Sequence, residues 1–218
     1  MSAARAAVVV LAKAPVPGRV KTRLCPPCTP AEAALLAEAA LVDTLCAVGA
    51  VPAADPVLVL DGPPGSWIPD GFRIIPQCGG GLDERITAAF ATVGGPALLI
   101  GMDTPQVTPT ILDDAIRHLV GDHADGVLGL SADGGFWALG LQSPRPELTI
   151  GVPMSTSHTG AHQRRQLTAA GCRVHLLGRL RDVDTIADAT AVARSAPATR
   201  FATTLTDLGL HDRARVFA

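Results

Sequence analysis

Short apolar runs rich in valine, leucine and isoleucine alternate with alanine-rich stretches along almost the whole chain. The apolar runs predict strands at residues 6–12, 56–60, 73–76, 97–101, 126–130, 136–141 and 174–177. The stretches between them predict helices at about residues 29–48, 82–92, 108–119 and 156–170, and a last helical region that starts at 182–185. Strands that alternate with helices at this spacing are typical of an α/β fold, here a three-layer sandwich with a mainly parallel sheet.

Length and composition limit the classes of protein that fit. The 218 residues, 48% hydrophobic and 17% charged, suit one compact domain over residues 1–218, with a tail after about residue 198 that has no clear pattern. A net charge of −2 gives no electrostatic reason to expect nucleic acid or an anionic membrane as a partner. The longest apolar run, residues 6–12, is too short to span a bilayer. Five cysteines without a disulfide spacing indicate a reducing, cytoplasmic location, and the oligomeric state stays open.

Only two lysines occur in the chain, and both lie in one loop after the first predicted strand. Lys13 and Lys21 stand there beside Arg19 and Arg23 in a segment rich in proline and glycine. A lysine ammonium is a compact charge that arginine replaces poorly where phosphate geometry matters. The loop contains neither a dinucleotide-binding glycine motif nor a Walker A motif. We therefore interpret it as a cradle for a di- or triphosphate, with a solvated basic turn as the alternative.

Acidic side chains follow two of the predicted strands. Asp103 comes directly after residues 97–101, and Asp182 and Asp184 follow residues 174–177. Alternate residues of an extended segment point to the same side, so Asp182 and Asp184 can share a face. Carboxylates at the sheet edge suit Mg²⁺ or Mn²⁺, which prefer oxygen ligands and bridge to phosphate oxygens. The alternative is that these residues cap the helices that follow them.

Two glycine-rich turns are further candidates for ligand contact. The turn Asp133-Gly134-Gly135 lets a ligand approach the backbone closely, although Asp-Gly is also a leading hairpin signal. Residues 79–81 are three glycines before a helix, where free N–H groups can face an anion, or where the chain is simply a flexible joint.

A zinc site is a weaker hypothesis. Cys25 and Cys28 form one Cys-x-x-Cys pair, and His158 and His162 form one His-x₃-His pair. Together they make a Cys₂His₂ set, but the two pairs are far apart in the sequence.

Five motifs follow one another in a fixed order over about residues 8–188. They are LAKAPVPGRVKTRL, PQCGGGLDERITAAF, LLIGMDTPQVTPTILDDAI, GLSADGGFWALGL and LRDVDTIADA. Together they resemble the small GT-A-fold transferases known as radical-SAM-associated or arsenosugar-biosynthesis glycosyltransferases. More distantly the chain is similar to phospholactate guanylyltransferase and the molybdenum cofactor nucleotidyltransferases. The resemblance implies the nucleotide-diphospho-sugar transferase fold, which is Rossmann-like.

The resemblance also implies roles for individual residues. Nucleotide binding is expected of seven residues: Ala12, Lys13, Gly18, Lys21, Arg23, Gly80 and Arg85. Catalytic roles are expected of Lys21, Arg23 and Asp133, and metal binding of Asp103 and Asp184, with Mg²⁺ or Mn²⁺ as the ion.

Three functional hypotheses follow. The first is a metal-dependent transferase that moves a sugar from a nucleotide-activated donor to a small acceptor. The second is a nucleotidyltransferase that condenses a nucleoside triphosphate with a phosphorylated small molecule and releases pyrophosphate. The third is a nucleotide-binding protein without turnover, because Met154 stands where the family usually carries a tryptophan.

Overall fold

A computed structural model describes residues 5–121, 123–210 and 213. Its strands β1 to β7 are Ala6–Lys13, Ala54–Asp61, Arg73–Pro76, Ala97–Ile100, Gly126–Ser131, Phe136–Leu141 and Val174–Leu180. Its helices α1 to α6 are Pro30–Gly49, Leu82–Ala91, Pro109–Val120, Thr159–Ala169, Ile186–Ser195 and Arg200–Asp207. In this described part of the chain, no helix has the length and apolar character needed to cross a bilayer.

The strands form one sheet in the order β3-β2-β1-β4-β6-β5-β7. All neighbouring strands run parallel except β6, which is antiparallel to both β4 and β5. The chain leaves β1 toward β2 on one side and reaches β4 on the other, so the strand order reverses at β1. Ligands of open α/β sheets bind at the carboxyl ends of the strands next to such a reversal.

Helices cover both faces of the sheet. Val8 and Val10 of β1 belong to a core that also contains Leu41 of α1 and Leu112 of α3. Val9, which points the other way, packs in a second core with residues of α2 and α4. All three valines are fully buried, as expected for a strand covered on both faces. The predicted three-layer α/β sandwich with a mainly parallel sheet is therefore confirmed.

The C-terminal helices add a third cluster on the outer side of α1. Leu36 of α1 packs against Val192 of α5 and Phe201 of α6, all of them buried. Asp43 of α1 accepts hydrogen bonds from the backbone N–H groups of Arg200 at 3.0 Å and Phe201 at 2.8 Å, and so caps the start of α6. Within the part of the chain after residue 198 that the sequence leaves unassigned, Arg200–Asp207 thus form a helix fixed to α1.

The start of α1 matches its sequence signals. Thr29 accepts a hydrogen bond from the Glu32 N–H, and the Glu32 carboxylate accepts one in return from the Thr29 N–H, which is a complete capping box. Pro30 occupies the first turn, where its missing N–H costs nothing. The helix places Ala34 and Ala37 against Val20 of the basic loop, so its N-terminal half supports that loop.

Replacing Thr29 by alanine is expected to lower the free energy of unfolding by about 1 kcal/mol, because it leaves a helix N–H group without a partner. Urea denaturation measures this change. Thr203→Ala serves as the control, since Thr203 is exposed within α6 and its hydroxyl bonds only a carbonyl of its own helix. That control is expected to change stability by less than about 0.5 kcal/mol, and equal losses in the two variants would contradict a special role of the cap.

Candidate active site

The basic loop and two acidic residues meet at the carboxyl ends of β1, β4 and β7. The Nζ atom of Lys21 lies 2.7 Å from Oδ2 of Asp103 and 3.2 Å from Oδ1 of Asp184. A guanidinium nitrogen of Arg23 lies 3.3 Å from the other oxygen of Asp184. The structure thus brings together four residues that the sequence analysis assigned to one site.

Local backbone conformation aims Lys21 into this site. Lys21 has a φ of 47°, in the left-handed region that L-residues rarely adopt, and a short 3-10 turn follows at Thr22–Leu24. Val20 and Leu24 on either side are buried, and they fix the loop to the core. Ser155 is the other non-glycine residue in the described chain with a positive φ, at 57°, and it lines the same region. Backbone strain of this kind concentrates at functional sites.

Lys21 is a buried cation held by two carboxylates. Its side chain is only 11% exposed, against 30% for Asp103 and 37% for Asp184. Burial on its own would lower the pKa of Lys21, but the nearby carboxylates, Asp103 foremost, outweigh burial and keep the pKa raised. Lys21 therefore carries its full charge at neutral pH.

A third acid lies deeper in the site. Burial first, and then the charge of Asp103, raise the pKa of Asp182 to about 7. The hydroxyl of Ser131 lies near the Asp182 carboxyl group and partly opposes this rise in pKa. Within the described chain, however, neither Oδ1 of Asp182 nor the Ser131 hydroxyl forms a hydrogen bond of normal geometry. Asp182 and Asp184 line the same cavity, in agreement with the prediction that they share a face.

Two adjoining cavities open on either side of Asp103 and Asp184. The cationic cleft, of about 310 Å³, is lined by Ala12, Lys13, Arg19, Lys21, Arg23 and Arg85. The acidic pocket, of about 470 Å³, is lined by Asp133, Phe136, Trp137, Met154, Ser155 and Asp182. Asp103, Asp184 and Arg23 border both cavities. One side of the site therefore suits phosphate groups, and the other carries several carboxylates.

Arg85 is oriented by a chain of hydrogen bonds. Its guanidinium donates to Oε1 of Gln77 at 3.1 Å and to the carbonyl of Gly80 at 2.9 Å. The amide nitrogen of Gln77 in turn donates to the carbonyl of Ala12 at 3.4 Å. Within the described chain no carboxylate pairs with Arg85, Lys13 or Arg19, so their charges remain available to an anion.

Two of the predicted nucleotide-binding residues stand apart from the cavities. Gly18 and Gly80 border neither of them. Gly18 has a φ of 77° with open space around it, which makes it a turn residue of the basic loop. Gly80 has a φ of 99° and contributes through its carbonyl, which accepts the hydrogen bond from Arg85. Their place in the structure is that of supports for the loop and for Arg85.

The turn Asp133-Gly134-Gly135 joins β5 to β6, which confirms the hairpin interpretation, and Asp133 and Gly135 also line the acidic pocket. Oδ1 of Asp133 accepts a hydrogen bond from the Gly135 N–H at 2.8 Å, and the side chain belongs to an exposed residue of the pocket lining. Gly134 has a φ of 92°, and a Cβ there would meet the carbonyl oxygen of Ser157 at 1.9 Å. The turn therefore packs closely against the segment that precedes α4.

Some residues of the acidic pocket carry no functional signal in the sequence. Trp137 lies in β6, is nearly fully buried and donates through its indole N–H to the Gly178 carbonyl at 3.0 Å. Ser155 lies just before, and Thr156 at the start of, the stretch predicted as helix over residues 156–170, but α4 starts only at Thr159 because the chain turns sharply at Ser155. Thr159 closes this turn by accepting a hydrogen bond from the Thr156 N–H at 3.1 Å.

The cysteine and histidine pairs do not form the suggested zinc site. In the part of the chain that the structure describes, three potential metal ligands come together at Asp114, His118 and His175, and none of the four suggested residues is among them. Burial, followed by the nearby Cys25, raises the pKa of Cys28 to about 11, so its thiol stays protonated.

The chain belongs to a bacterial family described as "Uncharacterized protein conserved in bacteria (DUF2064)", whose model matches residues 34–156. No curated protein matches the chain by sequence. A solved structure from Desulfovibrio desulfuricans G20, assigned provisionally as a nucleotide-diphospho-sugar transferase, is similar with a TM-score of 0.85 and 22% identity, covering 97% of this chain and 99% of that one.

Two further solved structures have the same general fold. A CMP:2-keto-3-deoxy-manno-octonic acid synthetase complexed with CTP matches with a TM-score of 0.57 and 12% identity, over 89% of this chain and 100% of that one. A cytidylyltransferase from Leptospira borgpetersenii serovar Hardjo-bovis (strain JB197) also has a TM-score of 0.57 and 12% identity, over 96% of each chain. At these identities the likeness establishes the fold, and the fold is that of nucleotide-diphospho-sugar transferases and cytidylyltransferases.

Proposed function

We propose that this protein is a metal-dependent transferase that moves a glycosyl group from a nucleotide-activated sugar to a small acceptor. The observation that carries this proposal is the contact of Lys21 with both Asp103 and Asp184 on the border between a cationic and an acidic cavity. The similar folds of a nucleotide-diphospho-sugar transferase and of cytidylyltransferases support a reaction of an activated nucleotide.

The acidic residues fit a divalent cation of the Mg²⁺ or Mn²⁺ type. Mg²⁺ is usually held by one or two carboxylates together with phosphate oxygens of the substrate. Asp103 and Asp184 supply the two carboxylates, and the buried oxygen of Asp182 without a hydrogen bond lies beside them. The ion, when bound, would neutralise charge that develops on the diphosphate leaving group.

The cationic cleft binds the phosphate groups of the nucleotide. Lys13, Arg19, Lys21, Arg23 and Arg85 surround it, so several positive charges face one diphosphate. Lys21 exchanges a carboxylate for a phosphate oxygen when the nucleotide enters, since its ammonium lies at the border of the cleft. Charge stabilisation by groups fixed in advance is usually the largest contribution to such a reaction.

The charge of the acidic pocket favours glycosyl transfer over nucleotidyl transfer. A phosphorylated acceptor would have to enter beside Asp133 and Asp182, in a pocket where Arg23 is the one basic residue of the lining. A neutral hydroxyl group meets no such repulsion, and the second oxygen of Asp133 can accept its proton during attack on the sugar. Trp137, Phe136 and Met154 offer apolar surface to the rest of the acceptor.

Nucleotidyl transfer is the second candidate, because five basic residues are more than a diphosphate requires and match a triphosphate. Product analysis separates the two reactions. The protein is incubated with nucleoside triphosphates or nucleotide sugars, Mn²⁺ and a panel of small acceptors. Glycosyl transfer is expected to release nucleoside diphosphate and no pyrophosphate, whereas a signal from a pyrophosphatase-coupled assay would replace the first proposal by the second.

A third outcome is metal-dependent nucleotide binding without turnover of any donor. It would support the hypothesis of a non-catalytic nucleotide-binding protein, which rests on the presence of Met154 in the acceptor-side pocket. Absence of nucleotide binding in calorimetry would contradict both reactions and the binding role together.

A further inference from the structure

Three potential metal ligands meet near the amino ends of β5 and β7, at the opposite end of these strands from the candidate active site. One ligand atom each of Asp114, His118 and His175 lies within 4.8 Å of the other two. Asp114 and His118 belong to α3, and His175 is the second residue of β7. His175 pairs with Val127 near the start of β5, whereas the candidate active site lies at the carboxyl ends of the parallel strands.

The sequence spacing within α3 and the packing of α3 beside β7 bring these three side chains together. Asp114 and His118 are four residues apart in a helix and therefore stand one above the other on the same face. The imidazole rings of His118 and His175 stack with centroids 3.6 Å apart and an interplanar angle of 17°. All three residues are partly buried, which limits the rotamers open to their side chains. Helix and edge strand thus hold two nitrogen donors and one oxygen donor in reach of one ion.

Releasing Asp114 to a metal ion costs little. Its Oδ1 lies 3.1 Å from a guanidinium nitrogen of Arg117, but Arg117 also pairs with Asp113 at 3.2 Å. Arg117 therefore keeps one carboxylate partner when Asp114 turns to an ion. The two stacked rings must tilt apart before both bind one ion, because a metal ion lies in the plane of each imidazole that binds it.

We propose that Asp114, His118 and His175 form a binding site for a divalent transition metal, with Zn²⁺ as the ion that fits best. Two imidazoles and one carboxylate are a common set of three protein ligands for zinc, with water in the fourth position. Mg²⁺ prefers oxygen ligands throughout and fits poorly, so this site differs in chemistry from the carboxylates at Asp103 and Asp184.

The ion would tie α3 to β7, the edge strand of the sheet. An ion that binds the folded chain and not the unfolded chain raises the free energy of unfolding. The role of the site is therefore structural, and it does not depend on the reaction proposed for the candidate active site.

Metal titration of the full-length, chelator-treated protein tests this proposal. Calorimetry with Zn²⁺ is expected to show one equivalent bound, and Co²⁺ is expected to give the visible absorption bands of a four-coordinate ion. Zinc at 100 times its dissociation constant should raise the midpoint of thermal unfolding. His175→Ala and His118→Ala are each expected to weaken zinc binding at least tenfold and to remove the thermal shift, while His158→Ala keeps both.

The controls make the result decisive. Circular dichroism checks that each variant folds, and His175→Asn replaces the alanine variant if it does not. Equal zinc affinity in the His175 variants and the unmodified protein would overturn the proposal. Thiolate-to-cobalt charge-transfer bands in the near ultraviolet would also overturn it, since they would place the ion on cysteines. Unchanged nucleotide binding in these variants is expected, because the site lies away from both cavities.

Discussion

Asp103→Asn is expected to weaken nucleotide binding in the presence of Mn²⁺ about 100-fold, while binding in the presence of a chelator changes by less than about threefold. The amide keeps the shape of the side chain and one acceptor oxygen but loses the negative charge that a divalent cation requires. Calorimetry with UDP, GDP and CDP, with Mn²⁺ or with chelator, measures both numbers. The ratio of the two affinities isolates the contribution of the ion.

Asp70→Asn is the matched control, because Asp70 is exposed and borders neither cavity. It is expected to leave both affinities unchanged. Lys21 keeps its contact with Asp184 in the Asp103 variant, so the basic loop should stay in place and thermal unfolding should shift little. A variant that retains the full effect of Mn²⁺ would show that Asp103 does not hold the ion.

The meeting of Lys21 with Asp103 could be predicted from sequence although 82 residues separate them. Both follow predicted strands, and the carboxyl ends of parallel strands lie at one edge of a sheet. Lys21 and Asp103 come together because β1 and β4 are direct neighbours. The contact with Asp184, 163 residues from Lys21, has a different origin, because β6 and β5 separate β7 from β4. The segment after β7 returns to the end of β4, where the Val183 N–H donates to the carbonyl of Asp103 at 3.0 Å.

The strand order and the depth of individual side chains could not be predicted. The Asp133-Gly134 turn indicates that β6 runs antiparallel to β5, but nothing in the sequence of β6 shows that its other neighbour is β4, because an apolar run does not record which strand it pairs with. The burial that raises the pKa of Asp182 depends on segments distant in sequence, such as those that carry Asp103 and Ser131, and is therefore a property of the folded chain. Local sequence patterns do not specify such packing between residues that are far apart in the chain.

The helix α6 is a second example. It has eight residues, too few for a periodic pattern to stand out, and it is stable because Phe201 and Leu205 pack on α1. Thr199 caps the first turn locally by accepting a hydrogen bond from the Ala202 N–H, but Asp43 of α1, 157 residues away from Arg200, also accepts hydrogen bonds from the first N–H groups of the helix. The start of α1 could be predicted because Thr29, Pro30 and Glu32 give three signals together, whereas Thr199 has no Glu or Gln three residues later.

Gly134→Ala is expected to lower the free energy of unfolding by about 3 kcal/mol or more. Two penalties combine at this position. The φ of 92° disfavours any residue with a Cβ, and the added atom would lie 1.9 Å from the carbonyl oxygen of Ser157, so the backbone must shift. Urea denaturation of the variant and the unmodified protein measures the loss.

Gly171→Ala separates the two penalties. Gly171 follows α4 with a similar φ of 81°, but a Cβ there meets nothing within 4 Å. Its replacement should therefore cost only the conformational penalty of about 1 kcal/mol. The excess loss in Gly134→Ala then reports how firmly the segment around Ser157 holds the turn, and hence how firmly Asp133 is positioned in the acidic pocket. Equal losses in the two variants would mean that Ser157 yields freely, and Asp133 would then lack the fixed position that a catalytic base requires.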